Sequence, residues 1–152
     1  MTDPSIAHAT FSLERSYPVA PSRVFAAWAE PQAKRRWFAG QDADYELDFR
    51  VGGREMTSGV HDGQVLTFES IYRDIVAGQR IVYTSTLSAG ATVATVSITS
   101  VEFTPDGDCT RLVLTEQGTY LDGLEQPSWR QQGTASQLDT LAAELAVKET
   151  QS

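Results

Sequence analysis

Hydrophobic and polar residues alternate with period two along most of the chain, and the stretches that break the alternation lie near its two ends. Residues 10–17 put Phe11, Leu13 and Arg15 on one face and Ser12, Glu14 and Ser16 on the other. That is a strand, ended by Pro18. The pattern then changes period. Pro21 suits a first helical turn, where its missing N–H has no partner to lose, and Val24, Phe25 and Trp28 follow as one apolar stripe. Pro31 stops this helix and opens a second short one. Lys34, Arg35 and Arg36 fall in its last turn, where cations suit the helix dipole, and they read as a solvated helix end. Trp37 and Phe38 turn inward, and Gly40 releases the chain.

Alternation returns with Tyr45, Leu47, Phe49 and Val51 set against Glu46, Asp48 and Arg50, which predicts a strand running to Val51. Gly52-Gly53 is a two-residue hairpin signal. Further strands are predicted over 54–60, 65–76, 79–87, 92–103 and 110–119, separated by turn residues at 61–64, Ala77-Gly78, 88–91 and 104–109. A helix starts at Pro127 or Ser128 and carries the stripe Ala135, Leu138, Leu141, Ala142 and Leu145. The order is one strand, two short helices, six strands and a long helix. It predicts an α+β fold in which a lone helix buries its stripe on one face of an antiparallel sheet.

The chain has 152 residues, enough for one domain: residues 1–9 read as a flexible N-terminus and 10–148 as a single unit. Hydrophobic content is 41% and charged content 21%, values of an ordinary globular chain. The net charge of -8 disfavours general nucleic-acid binding. No run approaches the roughly 20 apolar residues of a membrane helix, and the N-terminal residues lack the apolar core of a signal peptide. Cys109 is the only cysteine, so no intramolecular disulfide can form. The expectation is a cytoplasmic protein with no membrane association.

Candidate chemistry is sparse. His8 and His61 are far apart with no Cys or carboxylate at ligand spacing, so no metal site is predicted. No nucleophile elbow, phosphate loop or dinucleotide fingerprint occurs, and no cofactor is called for. Cys109 has no local histidine and reads as a bystander. What remains are polar residues on strand faces. Glu116 shares a face with Leu112 and Leu114; it either faces an apolar interior or sits in water at the strand's open end, with water favoured. Along 65–76, Leu66, Phe68 and Tyr72 share one face and Val65, Glu69, Ile71 and Ile75 the other, so either Tyr72 or Glu69 points inward. Tyr83 shares its face with Ile81 and Ser85. Thr95, Ser97 and Thr99 read as the solvated side of their strand. Trp129, Gly133 and Gln137 follow one another at helical spacing near the apolar stripe, and a glycine inside a helix implies either close packing or room. Residues 120–128 have the place of a lid.

The segments "YPVAPSRVFAAWAEPQAKRRWF", "VAGQRIVYT", "VEFTPDGDCTRLVLTEQG" and "GTASQLDTLAAEL", in this order and spacing, resemble the START-like or SRPBCC superfamily, and within it the branch named after the heat-shock chaperone ATPase activator. The resemblance implies a helix-grip fold: a curved sheet wrapped around the C-terminal helix, with a cavity for small, mostly apolar or amphipathic molecules between them. It makes Trp37, Phe49, Phe68, Tyr72, Tyr83, Leu114, Glu116, Trp129, Gly133 and Gln137 the cavity candidates. Trp28, Trp37 and Phe38 would plug the side of the sheet that faces the small helices, where plain core is the simpler role. The implied function is small-molecule binding. Alternatives are a cavity enzyme of the cyclase, aromatase or hydrolase type, and a chaperone-interacting protein. Relatives often pair, so a homodimer is possible, with exposed sheet edges as a route. Two departures stand out: Gly133-Thr134 replaces the Gly-Trp of many relatives, and Cys109-Thr110 replaces Gly-Thr.

Overall fold

The computed structural model describes residues 4–40 and 42–151, with side chains as far as residue 146. Among the described residues seven strands form one antiparallel sheet: β1 (Ile6–Tyr17), β2 (Asp44–Leu47), β3 (Arg54–His61), β4 (Gln64–Val76), β5 (Arg80–Ala89), β6 (Thr92–Asp106) and β7 (Cys109–Leu121). Their order is β1-β7-β6-β5-β4-β3-β2. Every neighbour but one is joined by a short connection. The exception is β1, which pairs with β7 across the whole chain, from Ile6 opposite Leu121 to Tyr17 opposite Thr110. The fold observed is the α+β class predicted from the pattern, in the helix-grip form that the resemblance implies.

Two short helices, α1 (Pro21–Ala29) and α2 (Pro31–Lys34), follow β1, each with proline in its first turn. α2 runs into a π-helical turn, Arg35–Ala39, closed by the Gly40 N–H donating to Arg35 O at 2.9 Å. Gly40 has φ of 87°, which a side chain would strain. The long helix α3 (Pro127–Gln151) lies on the sheet's inner face. Its buried apolar positions are Leu138, Leu141 and Leu145; Ala142 is exposed, so the stripe is narrower than predicted. Tyr17 fixes α3 to β1 by donating its hydroxyl to Leu138 O at 2.9 Å. The core joins these layers: Trp28 and Trp37 from the helical arm, Tyr72, Ile81, Val101, Phe103, Leu112 and Leu114 from the sheet, and the three leucines of α3. Trp28 and Trp37 meet edge to face at 4.8 Å, and Trp37 donates its indole N–H to Ala27 O at 2.9 Å.

Two expectations fail for identifiable reasons. The alternation through Val51 does not make a strand to Val51. β2 stops at Leu47, and residues 48–53 fold on themselves: Arg50 N–H reaches Asp48 O at 3.0 Å and Gly53 N–H reaches Arg50 O at 2.8 Å. A Cβ on Gly53 would lie 2.1 Å from Asp48 O, so the tight fold-back needs this glycine. The fold-back lets Gly52 N–H donate to Tyr72 O at 2.8 Å and Gly53 O accept from Tyr72 N–H at 3.0 Å, Val51 is left exposed, and Phe49 drops onto the core edge. The second failure is on β6. Thr95, Ser97 and Thr99 are not on the solvated side; all three are buried on the inner face, while Val96 and Ile98 point outward. A register shift between β5 and β6 near Leu87 leaves Ala94 and Thr95 both buried, and from there odd residues face inward through Val101 and Phe103. On β4 Tyr72 is the inward residue and Glu69 the outward one, paired with Arg54 at 3.1 Å. A bulge between Tyr72 and Asp74 then returns Ile75 to the core side.

Candidate functional site

The inner face of the sheet is apolar at one end and polar at the other, and the change runs straight across the strands. Tyr72, Tyr83, Thr99 and Glu116 are neighbours in register from β4 to β7. Beside them runs a row of small residues: Ser70, Ser85, Ser97 and Gly118. Ser70 and Ser85 share a hydrogen bond of 2.7 Å, and the Tyr120 ring occupies the space above Gly118, where a Cβ would meet it at 2.8 Å. Small side chains in the sheet leave depth between sheet and helix that leucines would fill.

A pocket of about 230 Å³ opens between the sheet, the helical arm and α3. The sheet contributes Thr57, Phe68, Tyr83, Leu87, Leu114 and Glu116 to its walls; the helical arm contributes Trp28, Trp37 and Phe38. From α3 come Trp129, Arg130, Gly133, Thr134, Gln137 and Leu138, with Glu125 from the preceding loop. Eight of the ten predicted residues therefore meet at one place: Trp37, Phe68, Tyr83, Leu114, Glu116, Trp129, Gly133 and Gln137. Phe49 and Tyr72 do not. They pack against each other at 5.0 Å, and the Tyr72 hydroxyl is committed to Glu55. Trp129 is 60% exposed and stands at the rim rather than inside. Gln137 donates its amide N–H to Phe38 O at 3.0 Å, tying α3 to the π-helical turn. Nothing lies within 4 Å of a Cβ built on Gly133, so the helical glycine provides room and not close packing.

The polar end centres on Arg130, which sequence reasoning missed. Arg130 lies eight residues before Leu138 on the same helix face, and that spacing was the available signal. Its guanidinium carbon sits 5.1 Å from the Phe68 ring centroid. Glu125 Oε1 is 3.2 Å from Nη2 and accepts from Nε at 3.3 Å; Glu116 Oε2 is 3.6 Å from Nε. Glu125 Oε1 also accepts from Thr95 at 2.6 Å, and Glu116 Oε1 accepts from Thr99 at 3.0 Å. Glu116 is thus buried and not in water. Burial pushes its carboxyl above the usual value of 4.5, outweighing the pull of Arg130 and of the Thr99 hydrogen bond. Burial also raises the Tyr83 phenol, with the nearby Glu116 charge adding to it. No cluster of three metal-holding side chains occurs among the described residues, and none of their helices is long and apolar enough to cross a membrane.

The raised carboxyl has a measurable consequence. A folded-state value above the unfolded one means that the native state holds the proton longer. Glu116 then contributes stability that is fully present below pH 4.5 and lost as pH rises through its raised folded value. In Glu116→Gln, which keeps the neutral form throughout, this loss is absent. The melting temperature of the variant relative to the parent should climb between about pH 4 and neutrality. A difference that stays flat over that range contradicts the assignment.

The basic cluster is also not the solvated helix end that its composition suggests. Lys34 is fully buried and its ammonium lies 2.8 Å from Glu55 Oε2 on β3. Tyr45 and Tyr72 donate to the same carboxylate at 2.5 and 3.2 Å. The ammonium faces the rings of Phe38 (4.3 Å), Trp28 (4.9 Å) and Trp37 (5.5 Å), and these three residues also line the pocket. Burial pulls the Lys34 value down against the opposing effect of Glu55. Arg36 pairs with Glu144 on α3 at 2.5 Å, and Arg35 donates to Ala43 O at 3.0 Å. Each charge of the cluster is a fastener for the arm that forms one pocket wall.

Comparison with known proteins agrees with this architecture. The profile described as Activator of Hsp90 ATPase homolog 1-like protein matches residues 18–146. The crystal structure of the Mll3558 protein from Rhizobium loti is similar at 42% identity, covering 92% of this chain and 99% of that one, with a TM-score of 0.87. A protein from Rhizobium leguminosarum is similar at 40% identity, 95% and 99% coverage and a TM-score of 0.91. The protein CV1439 of Chromobacterium violaceum follows at 26% identity, 90% and 96% coverage and 0.76. None of the curated proteins matches the chain.

Proposed function

The chain belongs to the Activator of Hsp90 ATPase homolog 1-like family, and from that premise we propose that it binds a small amphipathic molecule in the pocket between the sheet and α3. One observation carries the reading: an aromatic-lined pocket whose deep end holds buried polar side chains with unmet hydrogen-bonding capacity. Pockets for small molecules combine apolar walls with a few placed polar groups in this way. A cavity of about 150 Å³ takes a benzene ring, so about 230 Å³ suits one ring with substituents. Glu116 and Tyr83 are the titratable groups of the pocket's sheet wall, and burial holds both toward their neutral forms.

The test is native mass spectrometry of protein purified gently from its own host, followed by denaturing extraction. The expected result is a defined added mass that is released on denaturation. Protein without added mass, which also shows no spectral change with small aromatic probes, would overturn the reading. A chaperone role, suggested by the family's description alone, would then gain ground.

A further inference from the structure

Building on the pocket reading above, we infer that the bound molecule is neutral and carries, at its buried end, a hydroxyl or amide that accepts a hydrogen bond from Arg130 and donates one to Glu116. The two protein atoms define that requirement. Arg130 Nη2 and Glu116 Oε2 are both buried and without a hydrogen-bond partner among the described residues; Glu125 Oε1, 3.2 Å from Nη2, pairs with it as a charge without hydrogen-bond geometry. Their residues are 8% and 4% exposed, and both line the pocket. Native structures seldom leave two such buried atoms unmatched in one pocket lining. The two do not satisfy each other: the ion pair between these residues spans 3.6 Å, from Nε and not from Nη2.

Chemistry narrows the partner. A guanidinium nitrogen only donates, so Nη2 needs an acceptor. An ionised carboxylate oxygen only accepts, so Glu116 Oε2 needs a donor. One hydroxyl supplies both functions at a single atom, and an amide supplies them at adjacent atoms. A hydroxyl also serves when Glu116 is protonated, because its oxygen then accepts from either side. A carboxylate supplies acceptors alone. It would also bring a further negative charge to a guanidinium already paired with the Glu125 carboxylate at 3.2 Å, with the Glu116 carboxyl 3.6 Å away. A pure hydrocarbon would leave both buried atoms unmatched. The rest of the ligand meets Phe68, Leu114, Trp37 and Phe38, and is apolar by the same reasoning.

Four probes that share one ring test this: toluene, benzyl alcohol, benzamide and benzoate, titrated into the full chain at pH 7 and followed by amide chemical shifts. The alcohol and the amide should bind roughly tenfold or more tightly than toluene, and benzoate more weakly than toluene. In Arg130→Met, and separately in Glu116→Met, the preference for alcohol over toluene should shrink to about threefold or less while toluene still binds. Each variant removes one of the two bonds, so either one that folds is informative, and the parent series needs neither. Toluene binding as tightly as the alcohol would overturn the inference and leave the pocket reading standing. Benzoate binding tightest would overturn it in favour of an anion site. No binding by any of the four would overturn both.

Discussion

Lys34→Ala should lower the stability of the fold by about 3–5 kcal/mol, the usual cost of removing one partner of a buried ion pair. In a chain of this length that is about 10 °C in melting temperature. The magnitude follows from what is left behind. Glu55 stays 1% exposed among apolar neighbours, still accepting from Tyr45 and Tyr72 but with no countercharge. The three rings that face the ammonium lose their cation as well. Arg36→Ala is the control. It removes a neighbouring charge of the same cluster, whose side chain is half exposed, and should cost no more than about 1 kcal/mol. Removing both charges, as in Lys34→Met with Glu55→Leu, should cost less than the two single changes added together. It should not restore the parent fully, because two tyrosine hydroxyls then lose their acceptor. Urea titrations of the parent, Lys34→Met, Glu55→Leu and the double variant measure the cycle, and those of Lys34→Ala and Arg36→Ala measure the contrast. Equal losses for Lys34→Ala and Arg36→Ala would show that the pair is not the anchor its geometry indicates.

That prediction could not have been made from the sequence, and the reason is general. Three adjacent cations after a short helix carry a local signal that favours solvent, whereas the burial of Lys34 depends on Glu55, which β3 brings to it. The elements themselves were legible because period-two alternation and turn residues are local. The seven strands and the helix of 127–151 follow from them, as does the position of Pro21 and Pro31 at helix starts. The loop at 48–53 was misread because alternation continues there while Gly53 lets the chain fold back on Asp48. The polar face of β6 was misread because Val96 and Ile98 are more hydrophobic than Thr95, Ser97 and Thr99. A signal to the contrary existed: the odd face continues into Val101 and Phe103, and Phe103 packs against Trp28 at 6.2 Å and Phe25 at 5.6 Å. A polar end on an otherwise apolar face breaks binary patterning, and such breaks are where a binding site is expected. Glu116 belongs to the same break, since Leu112 and Leu114 precede it on the same buried face.

Gly133→Trp should reduce binding in the pocket by tenfold or more, with the fold intact, and Gly133→Ala should leave binding nearly unchanged. Both sides of that contrast come from one position. The Gly133 backbone is helical, its residue lines the pocket, and a Cβ there would touch nothing within 4 Å. Alanine therefore gains helix propensity of about 1 kcal/mol without contact, and a rise of about 2–4 °C in melting temperature is expected. A long side chain in a helix leans back over the preceding turn. At 133 that turn carries Trp129 and Arg130, so an indole would lean across the pocket mouth between them, where Gly133 now leaves the lining open. It would occupy volume that a ligand of one ring needs, out of about 230 Å³. Because the added ring enters open space, overpacking strain is not expected, and thermal unfolding should be as cooperative as in the parent. Affinity measured with benzyl alcohol, beside the melting curves, separates the outcomes. Unchanged affinity in a folded Gly133→Trp protein would place the ligand away from this face of α3, and equal losses in Gly133→Ala would point to the helix backbone instead of the pocket volume.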